Sequence, residues 1–475
     1  MKAVSSTIAM IPDSIKSIVQ VFTTNVLGLI VGLINGFLIP SFLGIEEYAI
    51  YKTFGLYVSY VGVMHFGFID GIYMNYGGMN RDHVLKSQLK AEFLFLLVFQ
   101  SIMLAIGVGI GFALGNMILV LVSLSILPVN MTMFFKFFYQ STGSFSEYAK
   151  INSYSPILTL TATLTIVFII GARSGSLFIT STVIINYLVF FLLLIGRRRW
   201  LFSERSRRIF TKSMLNTMKV GIFIMVGNLS SMFFYSMDRW FVKILLRTED
   251  FAFYSFATSM MGMVMILVSS VAMTFYPMLV RRQEEEGLLR SLKSYLMILG
   301  AFAGAAYFGF DLIVNWILRD YLLSLEVIAI LFAGFPAIAV INAIYVNMYK
   351  AQKVEKKYFF TVFGMMAISF GLNALAVIMN RSNWAIAAAT TIAFYFWFFF
   401  SSKDFKGTRT NLREIAYLVG FLIVFFSTTR LLSWWIGLPL YLAGILGITL
   451  LLYKIEFLDL IEKVLSSFKV RSSAN

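Results

Sequence analysis

The chain has 475 residues, of which 59% are hydrophobic and only 13% charged, whereas a soluble domain carries roughly 25% charged residues. Apolar runs of about 20 residues, each long enough for a bilayer core, recur from end to end; they exclude an ordinary soluble enzyme and a β-barrel built of ~10-residue alternating strands. The net charge of +16 follows the sidedness of the loops, so it argues for membrane topology and not for nucleic acid, and the absence of cysteine excludes a disulfide framework, a thiol catalyst or a cysteine metal site.

The N-terminal stretch "MKAVSSTIAMIPDSIKSIV" lacks the apolar segment and small-residue cleavage site of a signal peptide, so the first span is expected to persist in the mature protein. Fourteen spans are predicted, at about 15–43, 48–76, 88–114, 116–141, 147–170, 175–196, 219–246, 251–280, 293–318, 322–349, 356–379, 383–401, 414–432 and 434–453. The expected fold class is therefore all-α, a polytopic helical membrane protein of about 14 transmembrane helices. Placing the N-terminus in the cytoplasm satisfies the positive-inside rule. Outside loops then hold single arginines, Arg173, Arg247, Arg319, Arg381 and Arg430, and inside segments hold the clusters, the largest between Arg197 and Lys219. Both termini are expected in the cytoplasm.

The longest polar insert, "RRRWLFSERSRRIFTK" (Arg197–Lys212), falls near the middle of the first twelve spans. It suggests four parts: an N-lobe of spans one to six (1–196), a basic cytoplasmic linker (197–218), a C-lobe of spans seven to twelve (219–402), and two extra spans with a cytoplasmic tail (403–475). The linker reads first as a solvated basic loop that fixes topology and touches anionic lipid. Sliding the second half by 203 residues lays "LGIEEYAIY" (Leu43–Tyr51) on "LRTEDFAFY" (Leu246–Tyr254). The same offset superposes Lys16 on Lys219, Asn25 on Asn228, Asn35 on Asp238 and Tyr73 on Tyr276, and Pro128 and Pro336 fall near each other. Both halves start inside, so the expected architecture is two parallel-repeat six-helix lobes around a central cavity, plus two C-terminal helices.

Several kinds of chemistry are missing. There is no GxxxxGK[ST] phosphate loop and no HExxH. The two histidines, His65 and His83, cannot form a His-rich metal site alone, and the outside loops are too short to hold an acceptor-binding domain. No segment resembles a repeated channel filter. The chain reads as a carrier, with no enzyme activity, cofactor or metal expected.

A charged side chain inside a span costs roughly 2.5–3.5 kcal/mol on insertion scales, so it is usually paired, snorkelling or lining a wet cavity. The mid-span bases are Lys52, Lys136, Arg239 and Lys243, and the acids are Asp70, Asp238 and Asp311. Arg239 and Lys243 are four apart and share a helix face. They form either a cationic patch on a cavity wall, or a local Asp238–Arg239 pair with a snorkelling Lys243. Lys52 and Asp70 are eighteen apart, which on one continuous helix places them on the same side. Lys136 and Asp311 lie near span ends, where snorkelling accounts for them. His65 is either a hydrogen-bonded packing residue or a proton relay. Asn25 and Asn228, matched by the repeat, either line a site or join helices.

Two stretches resemble a known family. "FLGIEEYAIYKTFGLYVSYVGVMHFGFIDGIYMNYGG" (Phe42–Gly78), and the pattern D-x-W-F-V-K-x-L-L-x-x-E-D-F-A-x-Y from Asp238 to Tyr254, resemble bacterial polysaccharide and O-antigen flippases. These belong to the multidrug/oligosaccharidyl-lipid/polysaccharide exporter superfamily. The resemblance implies a two-lobed bundle working by alternating access in the bacterial plasma membrane. Its cargo would be an undecaprenyl-pyrophosphate-linked oligosaccharide carried from the inner to the outer leaflet for surface polysaccharide biosynthesis. Implied partners are membrane lipids and this lipid-linked oligosaccharide, with glycan-synthesis proteins as a candidate class and no nucleic acid. The cationic cavity residues of the family match Lys52, Arg239 and Lys243 here, with Asn25, Asn228 and Lys136 added as candidate pyrophosphate or cavity residues. Asp238 matches the family's acid in the seventh span, and Asp70, Asp238 and His65 are the candidates for ion coupling or charge pairing. The first span departs from the pattern of some lipid II flippases, since it has no Arg or Lys between Lys16 and the outer turn. That points to a capsule, exopolysaccharide, O-unit or teichoic-type glycan. The alternatives are a cation-coupled multidrug exporter of the same superfamily and a non-transporting membrane scaffold.

Overall fold

A computed structural model describes residues 2–198, 211–282, 284–352 and 354–472. Its described residues form helices joined by short turns, and the chain divides into two compact units, Met1–Leu229 and Ser230–Asn475. The division falls inside a helix. Of the expected linker, residues 199–210 lie outside the described residues.

The first unit contains α1 (Lys2–Phe42), α2 (Ile45–Val58), α3 (Phe68–Asn75), α4 (Lys86–Ala113), α5 (Met117–Ser141), α6 (Phe145–Thr165), α7 (Gly175–Gly196) and the start of α8 (Lys212–Leu245). Each long apolar run satisfies its own backbone as a helix, which oil demands. Local chemistry sets the ends. The Asn116 side chain accepts the Leu119 N–H at 3.2 Å to start α5, as N-caps do. Gly143 and Gly171, at φ 69° and 70°, turn the chain after α5 and after the π turn that ends α6, a conformation that favours glycine. Helix α5 packs on α4 and α7, and α1 packs on α6. Aromatic rings fill the unit's core, with Phe93 set 5.6 Å from Phe135 and 5.9 Å from Phe134.

The second unit holds the rest of α8, then α9 (Thr248–Arg281), α10 (Glu286–Ala303), α11 (Ala306–Trp316), α12 (Ser324–Phe332), α13 (Phe335–Val340), α14 (Val346–Ala351), α15 (Glu355–Met379), α16 (Asn383–Ser401), α17 (Leu412–Leu431) and α18 (Trp434–Ser472). Among the described residues, eleven helices are long and apolar enough to cross a membrane. The number is twelve if Ser324–Phe332 and Phe335–Ala351, bent by 48°, make one span. The expected count of fourteen is not confirmed. The eighth expected span is the helix α9, which is not among the eleven, and the second is broken.

That break is the main departure from expectation. Helix α2 stops at Val58, a 3-10 turn covers Val61–His65, and Phe66 and Gly67 adopt left-handed φ of 48° and 79° before α3 begins. A break strands carbonyl groups, and a bilayer core has no water to satisfy them. Two buried amides do so instead. Asn130 Nδ2 lies 3.1 Å from the Val61 carbonyl and 2.8 Å from Gln100 Oε1, and Gln100 Nε2 donates to the Met64 carbonyl at 3.1 Å. Lys52 and Asp70 therefore sit on different helices, and the shared face expected of one continuous helix does not exist.

The internal repeat has a structural counterpart. Glu47, in the first turn of α2, accepts the Gly175 N–H at 2.6 Å and so holds the start of α7. Asp250, its match at the same offset, accepts the Asn383 side chain on its carbonyl at 3.0 Å and holds the start of α16. In each half, the acidic turn pins the first residue of the last helix.

Candidate functional site

The cavity that fits a binding site lies within the second unit, and Asp238 and Arg239 line it. Its volume is about 340 Å³, at the low end of the ~300–1,000 Å³ of small-molecule pockets. Helix α8 supplies Tyr235, Asp238 and Arg239, α9 supplies Thr258, Ser259 and Met261, and α16 supplies Thr390 and Phe394. Behind it, Phe394 and Trp397 pack edge-on to Phe234, at 5.3 and 4.7 Å between ring centres. The Tyr235 hydroxyl donates to Asn342 Oδ1 at 2.8 Å. Asn342 sits in a π turn, Ile341–Tyr345, a local widening of the helix often found at functional sites.

Asp238 is only 4% exposed, and its oxygens are engaged. Oδ2 accepts the Tyr254 hydroxyl at 2.7 Å, and Oδ1 accepts the Arg239 backbone N–H at 2.7 Å. No ion pair within 4.0 Å joins Asp238 to the Arg239 guanidinium, although the two charges are adjacent. Arg239 Nε is buried and has no hydrogen-bond partner. A guanidinium keeps five donors in a rigid fork and stays charged. The arrangement is thus a fixed cation beside hydroxyl groups and an aromatic face, with its neighbouring acid already occupied.

The other candidates are dispersed. Lys243, one turn on from Arg239, stands over the Phe251 ring at 5.1 Å and does not line the cavity. In the first unit, Lys52 stands over Tyr48 and Tyr51, at 5.2 and 5.7 Å from the ring centres. Lys136 is half-buried on α5, and Asn25 and Asn228 are exposed on α1 and α8. His65 and Asp70 do come together across the break. His65 Nδ1 accepts the Gly67 N–H at 3.1 Å, which puts the proton of a neutral ring on Nε2, 3.6 Å from Asp70 Oδ2.

Sequence reasoning missed two buried charged groups. Lys293 Nζ lies 2.6 Å from Glu414 Oε2 and 2.6 Å from the Thr408 carbonyl. Glu92 accepts the Tyr76 hydroxyl at 2.7 Å and the Gln88 amide at 3.2 Å. Both sit near span ends, where charges usually meet water, and nothing in their spacing marked them. Tyr235, Thr258 and Ser259 were missed because hydroxyls scattered in apolar helices carry no distinguishing signal.

No family model and no curated protein matches the chain. Among solved structures it is similar to the lipid II flippase MurJ in an inward closed conformation. The TM-score is 0.63 at 15% identity, covering 94% of this chain and 100% of that one. It is also similar to a multidrug resistance MATE family transporter of the MOP superfamily in an inward-facing conformation, with a TM-score of 0.50 at 13% identity, over 79% of this chain and 94% of that one. At these identities the likeness is one of fold, and the fold is that of MOP-superfamily transporters.

Proposed function

We propose that the protein is an alternating-access transporter that moves an undecaprenyl-pyrophosphate-linked oligosaccharide from the inner to the outer leaflet of a bacterial plasma membrane. The observation that carries this reading is Arg239: a guanidinium on the wall of a cavity in a membrane helix, with its Nε buried and unpartnered. Such a group in a low-dielectric setting is costly unless an anion answers it. Asp238 supplies a nearby negative charge, but its oxygens are held by Tyr254 and the backbone and no ion pair within 4.0 Å reaches the guanidinium, so a ligand oxygen is the proposed partner of Nε. A pyrophosphate suits the fork geometry of arginine, and the Thr258 and Ser259 hydroxyls add donors. In this proposal the polyprenyl tail stays in lipid. Lobes at 1–196 and 219–402 alternate access, with both termini cytoplasmic. The likeness of fold to a lipid II flippase supports lipid-linked cargo as a class, and the lack of a base in the outer part of the first span favours a glycan other than the peptidoglycan precursor.

Binding tests the site. Inorganic pyrophosphate is expected to raise the melting temperature of the purified protein in detergent. Arg239→Gln should weaken its binding about 10–100-fold, the loss of charge-assisted hydrogen bonds worth about 1.5–3 kcal/mol. Equal binding by the variant would remove Arg239 from the site.

A further inference from the structure

The last helix changes character partway along. Its first part, Trp434–Tyr453, spans about 30 Å at 1.5 Å per residue, the thickness of a bilayer core. At Tyr453 the backbone leaves helical geometry, with φ −134° and ψ 34°, and the helix then resumes to Ser472. Beyond the kink the sequence "KIEFLDLIEKVLSSFKVRS" (Lys454–Ser472) is amphipathic and no longer uniformly apolar.

One side of this segment is held by the protein. Glu456 pairs with Arg413 at 2.9 Å, the Tyr295 hydroxyl donates to Asp459, and Phe457 stacks on Phe302 with 6.1 Å between ring centres. The acids of the first turns are therefore consumed in holding the helix down. The opposite side is apolar and uncovered: Ile455 is 80% exposed, Leu458 51% and Ile461 38%. In the sequence, Leu465 and Phe468 recur at the helical spacing of this pattern. The sequence of the segment carries four bases, Lys454, Lys463, Lys469 and Arg471, against three acids, Glu456, Asp459 and Glu462. An apolar stripe accompanied by long basic side chains is the composition of a helix lying in the headgroup–acyl boundary.

We propose that residues 454–472 form an interfacial helix that seats its Ile455–Leu458–Ile461 stripe on the surface of a bilayer containing anionic lipid. Three observations fix the occupant as lipid. The segment is continuous with a membrane span and begins where that span has used up the bilayer thickness. Two of its three acids, Glu456 and Asp459, are held by the protein, while Glu462 is exposed. Its remaining charge is positive, complementary to anionic headgroups.

The chain has no cysteine, so single-cysteine variants of the full protein report one position each. Ile455→Cys, Leu458→Cys and Ile461→Cys, with Lys406→Cys in the turn before α17 as the exposed control, would carry an environment-sensitive fluorophore. They would be reconstituted in phosphatidylcholine vesicles with or without phosphatidylglycerol. The stripe positions should show blue-shifted emission, severalfold weaker quenching by aqueous iodide than Lys406→Cys, and strong quenching by headgroup-depth nitroxide lipids. Changing Lys454, Lys463, Lys469 and Arg471 to Gln should weaken surface partitioning about fivefold per charge in anionic vesicles and leave it unchanged in neutral ones. Equal aqueous quenching at all four positions in anionic vesicles would overturn the proposal. So would shielding from iodide without quenching by nitroxide lipid, which would mean that a protein or a second copy covers the stripe.

Discussion

Lys293 shows what a buried charge demands of its neighbours. It is fully buried, 2.6 Å from Glu414 Oε2 and 4.8 Å from the centre of the Phe398 ring. Removing one partner strands the other charge, which costs about 3–5 kcal/mol. Lys293→Ala or Glu414→Ala should therefore lower the melting temperature in detergent markedly. Lys293→Met with Glu414→Leu should recover most of it, because an apolar pair of similar volume is often neutral or better. Wild-type stability in the single variants would show that the pair is not sealed from water. Arg239 is the contrasting case, a cation whose Nε has no protein partner, and it was legible because a base in mid-span stands out against apolar neighbours. Lys293 and Glu414 were not legible, since only the fold of the 402–411 turn brings the two together.

Between α2 and α3, the break is held open by side chains from α4 and α5. Asn130→Leu or Gln100→Ala leaves the Val61 or Met64 carbonyl unsatisfied, at a cost of about 1–3 kcal/mol each. Their thermal unfolding in detergent should shift to that extent, and no shift would mean that water already reaches the turn. The same region packs backbone on backbone. A Cβ at Gly71 would stand 2.0 Å from the Thr217 carbonyl oxygen, and one at Gly221 would stand 1.9 Å from that of Gly67. Backbone cannot move aside like a flexible side chain. Gly71→Ala or Gly221→Ala should thus destabilise by at least the ~1–3 kcal/mol typical of overpacking, visible as loss of monodisperse protein on size exclusion. Gly109→Ala, with nothing within 4 Å of its Cβ position, should behave like wild type. Hydropathy could not show the break, because its residues, "VGVMHFGFI", are apolar apart from His65. The glycines at 62, 67 and 71 were the only local sign. The bend before Pro336 had a clearer one, since proline cannot continue the backbone ladder of the preceding turn.

For the whole molecule, hydropathy and charge bias indicated the class because both act on long stretches and average out local detail. The repeat was legible from one short echo, and Glu47 through its carboxylate and Asp250 through its backbone carbonyl hold the starts of α7 and α16. The cargo is less legible, since it depends on which few side chains meet in one cavity, and spacing along separate helices does not reveal that. Lys243 illustrates this. It shares a helix face with Arg239, yet stands over Phe251 instead of lining the pocket. The most direct measurement is transfer in liposomes. The protein would be reconstituted with a fluorescent polyprenyl-pyrophosphate oligosaccharide, and the label reaching the opposite leaflet would be followed with and without an ion gradient, beside Arg239→Gln and a cationic dye as competing cargo. Transfer of the lipid-linked glycan that falls at least about 10-fold in the variant, with no transport of the dye, is the expected result. Dye transport without glycan transfer would contradict the account and make the protein a drug exporter of the same fold.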